Sequence, residues 1–255
     1  MIYFPVGMCL ARFQLSRDPI LGFEAVFVLL LGVSLLLPVT LGGWSPGPEL
    51  RAESQAPKNL FINGSFEQGR NPWFALVQKN WEGFSITDRH AKHGRHSAHL
   101  ELRASVSTEG TKVFGLIQEV SPKEFPKRIS GFYRVENWKR GTPKQYLQFV
   151  VIIWEDPNEK RFPNYQIRYI LAGVDTPPLR IGNARYVLLG IGEPKERLWI
   201  EFNRDVRADF ERLWGRVPSG FSKIRVLFEA RYDQKKAGDG EVMADVYYDD
   251  LYFGE

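Results

Sequence analysis

The sequence predicts an all-β fold, a sandwich of two sheets interrupted by one short helix. Three observations predict it. The first is strict alternation over Lys223 to Tyr232, where Ile224, Val226, Phe228 and Ala230 share one face and Lys223, Arg225, Glu229 and Arg231 the other, with Leu227 breaking the polar side. The second is a series of similar short runs, at Ser97 to Leu102, Val113 to Val120, Ile129 to Val135, Tyr146 to Trp154, Gln166 to Leu171, Arg185 to Leu189, Leu198 to Phe202 and Val242 to Phe253. Turn-forming clusters separate them, among them Ser121-Pro122, Asp156-Pro157-Asn158, Thr176-Pro177-Pro178 and Ala237-Gly238-Asp239-Gly240, which is the punctuation of a sandwich. The third is one helical pattern: Asp205 as a cap, Val206, Phe210 and Leu213 at helical spacing, and Gly215 as the stop.

Ahead of the sandwich, residues 1–18 carry Arg12 and Arg17, and an apolar run from Ala25 to Leu37 lies within residues 19–44. Extended toward Trp44, the run reaches about 20 residues, the length that spans a bilayer, and the placement of the arginines keeps the N-terminus inside. The expectation is a transmembrane anchor with the remainder outside the cell membrane. A cleaved secretory signal, cut at Ser54-Gln55-Ala56, is the alternative. Residues 45–58, rich in Gly, Pro and Ser, read as a linker, and residues 59–255 as the folded domain. The sole cysteine, Cys9, precedes the apolar run, so the domain carries no disulfide. Residues 1–58 balance their charges, which leaves the net +4 to the domain, where basic and acidic residues intersperse along the strands. No basic stripe forms, and a nucleic-acid partner is not expected.

The two ends of the domain hold its distinctive stretches. Asn59-Leu60-Phe61-Ile62-Asn63-Gly64-Ser65-Phe66-Glu67 reads as a short extended run with a turn at Asn63-Gly64, followed by Trp73-Phe74. Val246 to Phe253 sets two adjacent acids, Asp249 and Asp250, inside an apolar strand. These stretches resemble the opening and closing strands of the galactose-binding-domain-like jelly roll, in particular carbohydrate-binding modules of families four and nine. Gly94 to Leu100 and Leu116 to Val120 resemble that family's next strand entry and its Gln-containing strand. The resemblance implies a jelly-roll β-sandwich, non-covalent recognition of a glycan or cell-envelope polymer, and a structural calcium joining the first strand to the last.

Glu67 with Asp249 and Asp250 is the candidate ion set, since a hard cation gathers several oxygens and backbone carbonyls of the Asp88 to Ser97 loop could complete its shell. Strand parity groups Asp249 with Leu251 and Phe253, on the inward side. The alternative is that Glu67 and Asp249 bond to backbone amides or to an arginine. The four histidines, His90, His93, His96 and His99, stand three apart, but Gly94 and the strand that follows place them in a loop, where they read as a polar turn more readily than as a transition-metal site.

Sugar recognition needs flat rings and hydrogen-bonding neighbours. In Tyr146 to Trp154 the face of Leu147, Phe149, Val151 and Ile153 reads as core. Tyr146, Gln148 and Trp154 on the opposite face, with Tyr133, Trp138 and Arg168 on neighbouring elements, form the candidate ligand groove. No nucleophile elbow, phosphate loop or zinc-protease helix occurs, so a non-catalytic module is expected. The rival role is a structural or protein-interaction sandwich that meets another envelope protein.

Overall fold

The computed structural model describes residues 58–155, 163–218 and 220–255. The anchor expected within residues 19–44, with its linker, lies outside them, and no helix among the described residues is long and apolar enough to cross a membrane. All nine runs read from the sequence are strands: β3 (Ser97–Ala104), β4 (Gly110–Val120), β5 (Arg128–Lys139), β6 (Gln145–Trp154), β7 (Tyr165–Ala172), β8 (Ala184–Leu188), β9 (Trp199–Asp205), β10 (Lys223–Lys235) and β11 (Val242–Gly254). Two short strands, β1 (Trp81–Glu82) and β2 (Ser85–Thr87), were not foreseen, being too short to show a period. The strands form a six-stranded sheet in the order β1-β4-β10-β6-β7-β8 and a five-stranded sheet in the order β2-β3-β11-β5-β9.

The alternation works as expected between the sheets. Leu147, Phe149, Val151 and Ile153 of β6 and Ile224, Val226, Phe228 and Ala230 of β10 join one core with Ala244, Val246 and Tyr248 of β11. Phe149 stacks on Tyr169 at 4.5 Å, and such buried aromatic burial dominates the driving force of a domain without disulfides. Helix α1 (Val206–Trp214) begins at Asp205, whose carboxylate accepts the Ala208 N–H, and stops at Gly215 in the left-handed region. It buries Phe210 against Phe125 and Tyr165.

The opening stretch departs from the expected strand. Only Asn59 forms a bridge, to Gly254 of β11, and the chain then turns on itself. Asn63 adopts φ of 55°, its side-chain amide donates to the carbonyls of Gly69 and Asn71, and its own carbonyl accepts the Trp73 indole N–H at 2.9 Å. Phe61, Phe66 and Trp73 thereby enter the core, whereas Ile62 is exposed. Position 64 admits only glycine, because a Cβ there would sit 2.1 Å from the Leu251 carbonyl oxygen.

Strand parity of β11 also departs from expectation. Val246 and Tyr248 face the core, and so do Leu251 and Phe253, which requires a one-residue slip between them. The slip is a bulge at Asp249-Asp250, with Asp250 at φ of 50°. Two acids can occupy the strand because the bulge turns Asp249 away from the core toward the loop at residues 88–96.

Candidate functional site

Two surfaces carry most of the candidate residues: the outer faces of the two sheets. On the five-stranded sheet, Glu67 and Asp249 both grip the same loop but not each other. Glu67 Oε1 accepts the N–H groups of Arg95 and His96 at 2.9 and 2.8 Å. Asp249 Oδ2 accepts those of Lys92 and His93 at 2.7 and 3.3 Å, and its Oδ1 accepts the Asp250 N–H. Asp250 pairs with His93. Backbone N–H bonds hold the Glu67 carboxyl below its ordinary range, whereas burial pushes the Asp249 carboxyl up to about 6. This donor set does not fit the expected calcium. The loop presents amide N–H groups to the carboxylates where a hard cation needs lone pairs, and no group of three or more His, Cys, Asp or Glu among the described residues is arranged to hold a metal ion.

The histidines are not a free polar turn. His90 reaches Glu136 at 3.2 Å, His96 reaches Glu67 at 3.5 Å, and His99 reaches Asp245 at 3.0 Å while stacking on Tyr247 at 4.6 Å. Asp245 also accepts from Arg103 and Asn137; these bonds and His99 outweigh its burial and keep its carboxyl below the usual range.

The outer face of the six-stranded sheet is the groove face expected from the sequence, and it collects Tyr146, Gln148 and Arg168, with Trp154 farther along β6. Gln148 lies opposite Glu229 of β10, and Tyr146 opposite Arg231. Arg231 bridges Glu229 at 3.1 Å and Asp233 at 2.6 Å, Gln148 donates its amide N–H to Glu229 at 2.5 Å, and Tyr146 donates its hydroxyl to Asp233 at 2.6 Å. Burial works against the Arg231 charge, but Glu229, with Tyr146 and Asp233, outweighs it and holds the guanidinium pKa above its ordinary value. Burial likewise lifts the Tyr186 phenol.

Glu229 and Arg231, read from the sequence as solvated, are 1% and 7% exposed on β10, which is flanked by β4 and β6. A Cβ at Gly115 would lie 3.6 Å from the Trp81 ring and 3.7 Å from Glu229 Cγ, so the ring and that side chain both border Gly115. Three polar atoms in this strip are shut from solvent without a partner: Gln148 Oε1, Arg231 Nε and the Tyr186 hydroxyl. The trio of β10, Glu229, Arg231 and Asp233, was legible as alternating signs on one face, opposite a glutamine-bearing strand.

The remaining candidates fall elsewhere. Trp154 is 3% exposed and covered by Lys223 and Arg225, 4.7 and 5.3 Å from its ring, so it is no open platform. Arg168 donates to Gln166 at 2.8 Å. Tyr133 faces the core with its hydroxyl toward the Leu171 carbonyl, and Trp138, at the end of β5, donates its indole N–H to Glu193. Neither joins the groove face.

No protein-family model matches the chain, and no curated protein matches it. Solved structures are similar to it. TmCBM61 in complex with beta-1,4-galactotriose shares 16% identity at a TM-score of 0.40, over 78% of this chain and 99% of that one. The CBM22-1 xylan-binding domain from Paenibacillus barcinonensis Xyn10C shares 14% identity at 0.40, over 78% and 95%. A non-crystalline cellulose specific carbohydrate-binding module, CBM28, shares 12% at 0.41, over 78% and 96%. At these identities and TM-scores the likeness carries no residue and no ligand over to this chain.

Proposed function

We propose that this chain is a non-catalytic, glycan-binding β-sandwich of the jelly-roll, galactose-binding type, of the family four and nine kind, held at the outer side of a membrane by its apolar N-terminal segment. The anchor rests on the Ala25 to Leu37 run. The binding site is the outer face of the six-stranded sheet, at Gln148, Arg231 and Tyr186, beside the half-exposed Trp81 ring.

The observation that carries this reading is the unpartnered trio of buried polar atoms. A buried polar group without a partner costs about 1–3 kcal/mol. Gln148 Oε1 only accepts and Arg231 Nε only donates, while the Tyr186 hydroxyl does both. A sugar hydroxyl, which donates and accepts, matches such a set, and adjacent aromatic rings match the C–H face of a pyranose. Glu229 and Asp233 already neutralise Arg231, which favours a neutral glycan over an acidic one. Tyr186 stands on β8, an edge strand that among the described residues pairs only with β7.

The test is retention of the protein on a broad array of neutral and acidic glycans, with Gln148→Met as the comparison. Retention on a neutral polysaccharide, lost in Gln148→Met while the melting temperature stays within a few degrees, is expected. Retention that survives the substitution, or no retention at all, would sink the assignment.

A further inference from the structure

The open side of the sandwich, away from the proposed glycan face, holds a cleft of about 680 Å³ between β9 and the segment that follows β8. β9 is the edge of its sheet and among the described residues pairs only with β5, so the backbone groups on its other side form no ladder. All residues from Leu198 to Arg204 line the cleft, so the unpaired edge and the cleft run side by side. Its floor is apolar, with Tyr133, Leu171 and Phe202. Its lips are apolar too, and open: Ile191 is 71% and Leu198 56% exposed, two of the five large apolar side chains left in water among the described residues.

Charge at the rim is divided between paired and unpaired groups. Glu193 is engaged by Arg140 and Trp138, and Arg204 by Asp209. Lys195 and Glu201, both exposed and both lining the cleft, have no ion-pair partner among the described residues.

We infer that this edge is a docking groove for an extended peptide segment of a partner protein, which adds a strand beside β9. A free strand edge recognises extended backbone by main-chain hydrogen bonds, and pockets for alternate side chains add selectivity. The occupant is therefore an extended segment with apolar residues at alternate positions facing the cleft, an acidic residue to meet Lys195 and a basic residue to meet Glu201. A glycan cannot complete a backbone ladder, so the groove and the glycan face serve different ligands.

The full chain is immobilised and a phage-displayed library of random peptides is selected on it; the selected peptides are then synthesised. The expected sequences alternate apolar and polar residues and carry both charges. Their binding slows amide exchange in residues 199–205, and N-methylation of alternate peptide amides abolishes it. The exposed-site variants Ile191→Glu and Leu198→Glu fold normally and weaken binding about tenfold or more, which corresponds to about 1.4 kcal/mol, while glycan retention is unchanged. Selection of no peptides, or of peptides that leave exchange in β9 unaltered, overturns the inference. So does dimerisation of the free protein that protects the same amides, since a second copy would then be the occupant.

Discussion

The outer faces of the two sheets solve one problem in opposite ways. Each holds carboxylates away from the core: Glu229 and Asp233 of β10 and Asp249 of β11 are buried, and Glu67 stands exposed in the opening turn. On the six-stranded sheet the cation is built into the same strand: Glu229, Arg231 and Asp233 alternate along β10 and pair side chain to side chain. On the five-stranded sheet Asp249 and Glu67 are satisfied mostly by the backbone of a separate loop at residues 88–96. The first arrangement is stiff and independent of any loop. The second ties a loop to the sandwich and makes that tie sensitive to protonation at Asp249, where burial outweighs the amide donors, whereas at the exposed Glu67 the same kind of donor holds the carboxyl below its ordinary range.

The comparison breaks most sharply at Arg231. Arg231→Leu leaves Glu229 and Asp233 buried without their cation and should cost about 3–5 kcal/mol, read as a large fall in the denaturant midpoint. Replacing Glu229, Arg231 and Asp233 together by apolar residues, with Gln148→Met and Tyr146→Phe to remove the donors they accept from, should recover most of that loss, and if it does not, the ladder is doing more than pairing charges. On the other face, Asp249→Ala strands the N–H groups of Lys92 and His93 and should cost about 1–3 kcal/mol. Its distinguishing readout is faster amide exchange confined to residues 90–97.

A pH titration sharpens the contrast. The folded Asp249 carboxyl titrates near 6, above its unfolded value, so the folded state binds that proton more tightly and stability rises as pH falls from about 7 toward 5. Glu67 and Asp245 are depressed in the folded state, so their contribution is present above the ordinary carboxylate range and is lost as pH falls through it. The melting temperature should therefore peak near pH 5, and Asp249→Asn should flatten the limb between 5 and 7; an unchanged limb would place the titration elsewhere. The smallest expected effect is that of a chelator. Because amides already occupy Glu67 and Asp249, EDTA should leave the melting temperature unmoved, and a marked drop would restore the calcium tie.

Much of this is legible in the amino-acid sequence. Nine strands and the helix followed from alternation and caps, since those patterns record which side of an element meets the core. What stayed hidden was long-range. The bulge at Asp249-Asp250 resets parity within one residue, so parity counted back from Phe253 put Asp249 on the wrong side. Glu229 and Arg231 are buried although they stand on the outward side of β10, and an outward strand position cannot reveal what lies over it. Tyr133 and Trp138 shared a strand with no signal that one faces the core and the other the strand's far end. The pairing of each histidine with a carboxylate was likewise invisible, although their three-residue spacing marked the loop as unusual.

The clamp at Asn59 has a mechanical meaning. Its side chain donates to the Leu251 carbonyl and accepts the Phe253 N–H, while Leu60 donates to the Phe253 carbonyl. Asn59 is thus fastened to β11, which lies at the middle of the five-stranded sheet between β3 and β5. A pull on the domain from its N-terminal side passes into a central strand and loads several hydrogen bonds together, so tension reaches the core without first peeling away an edge.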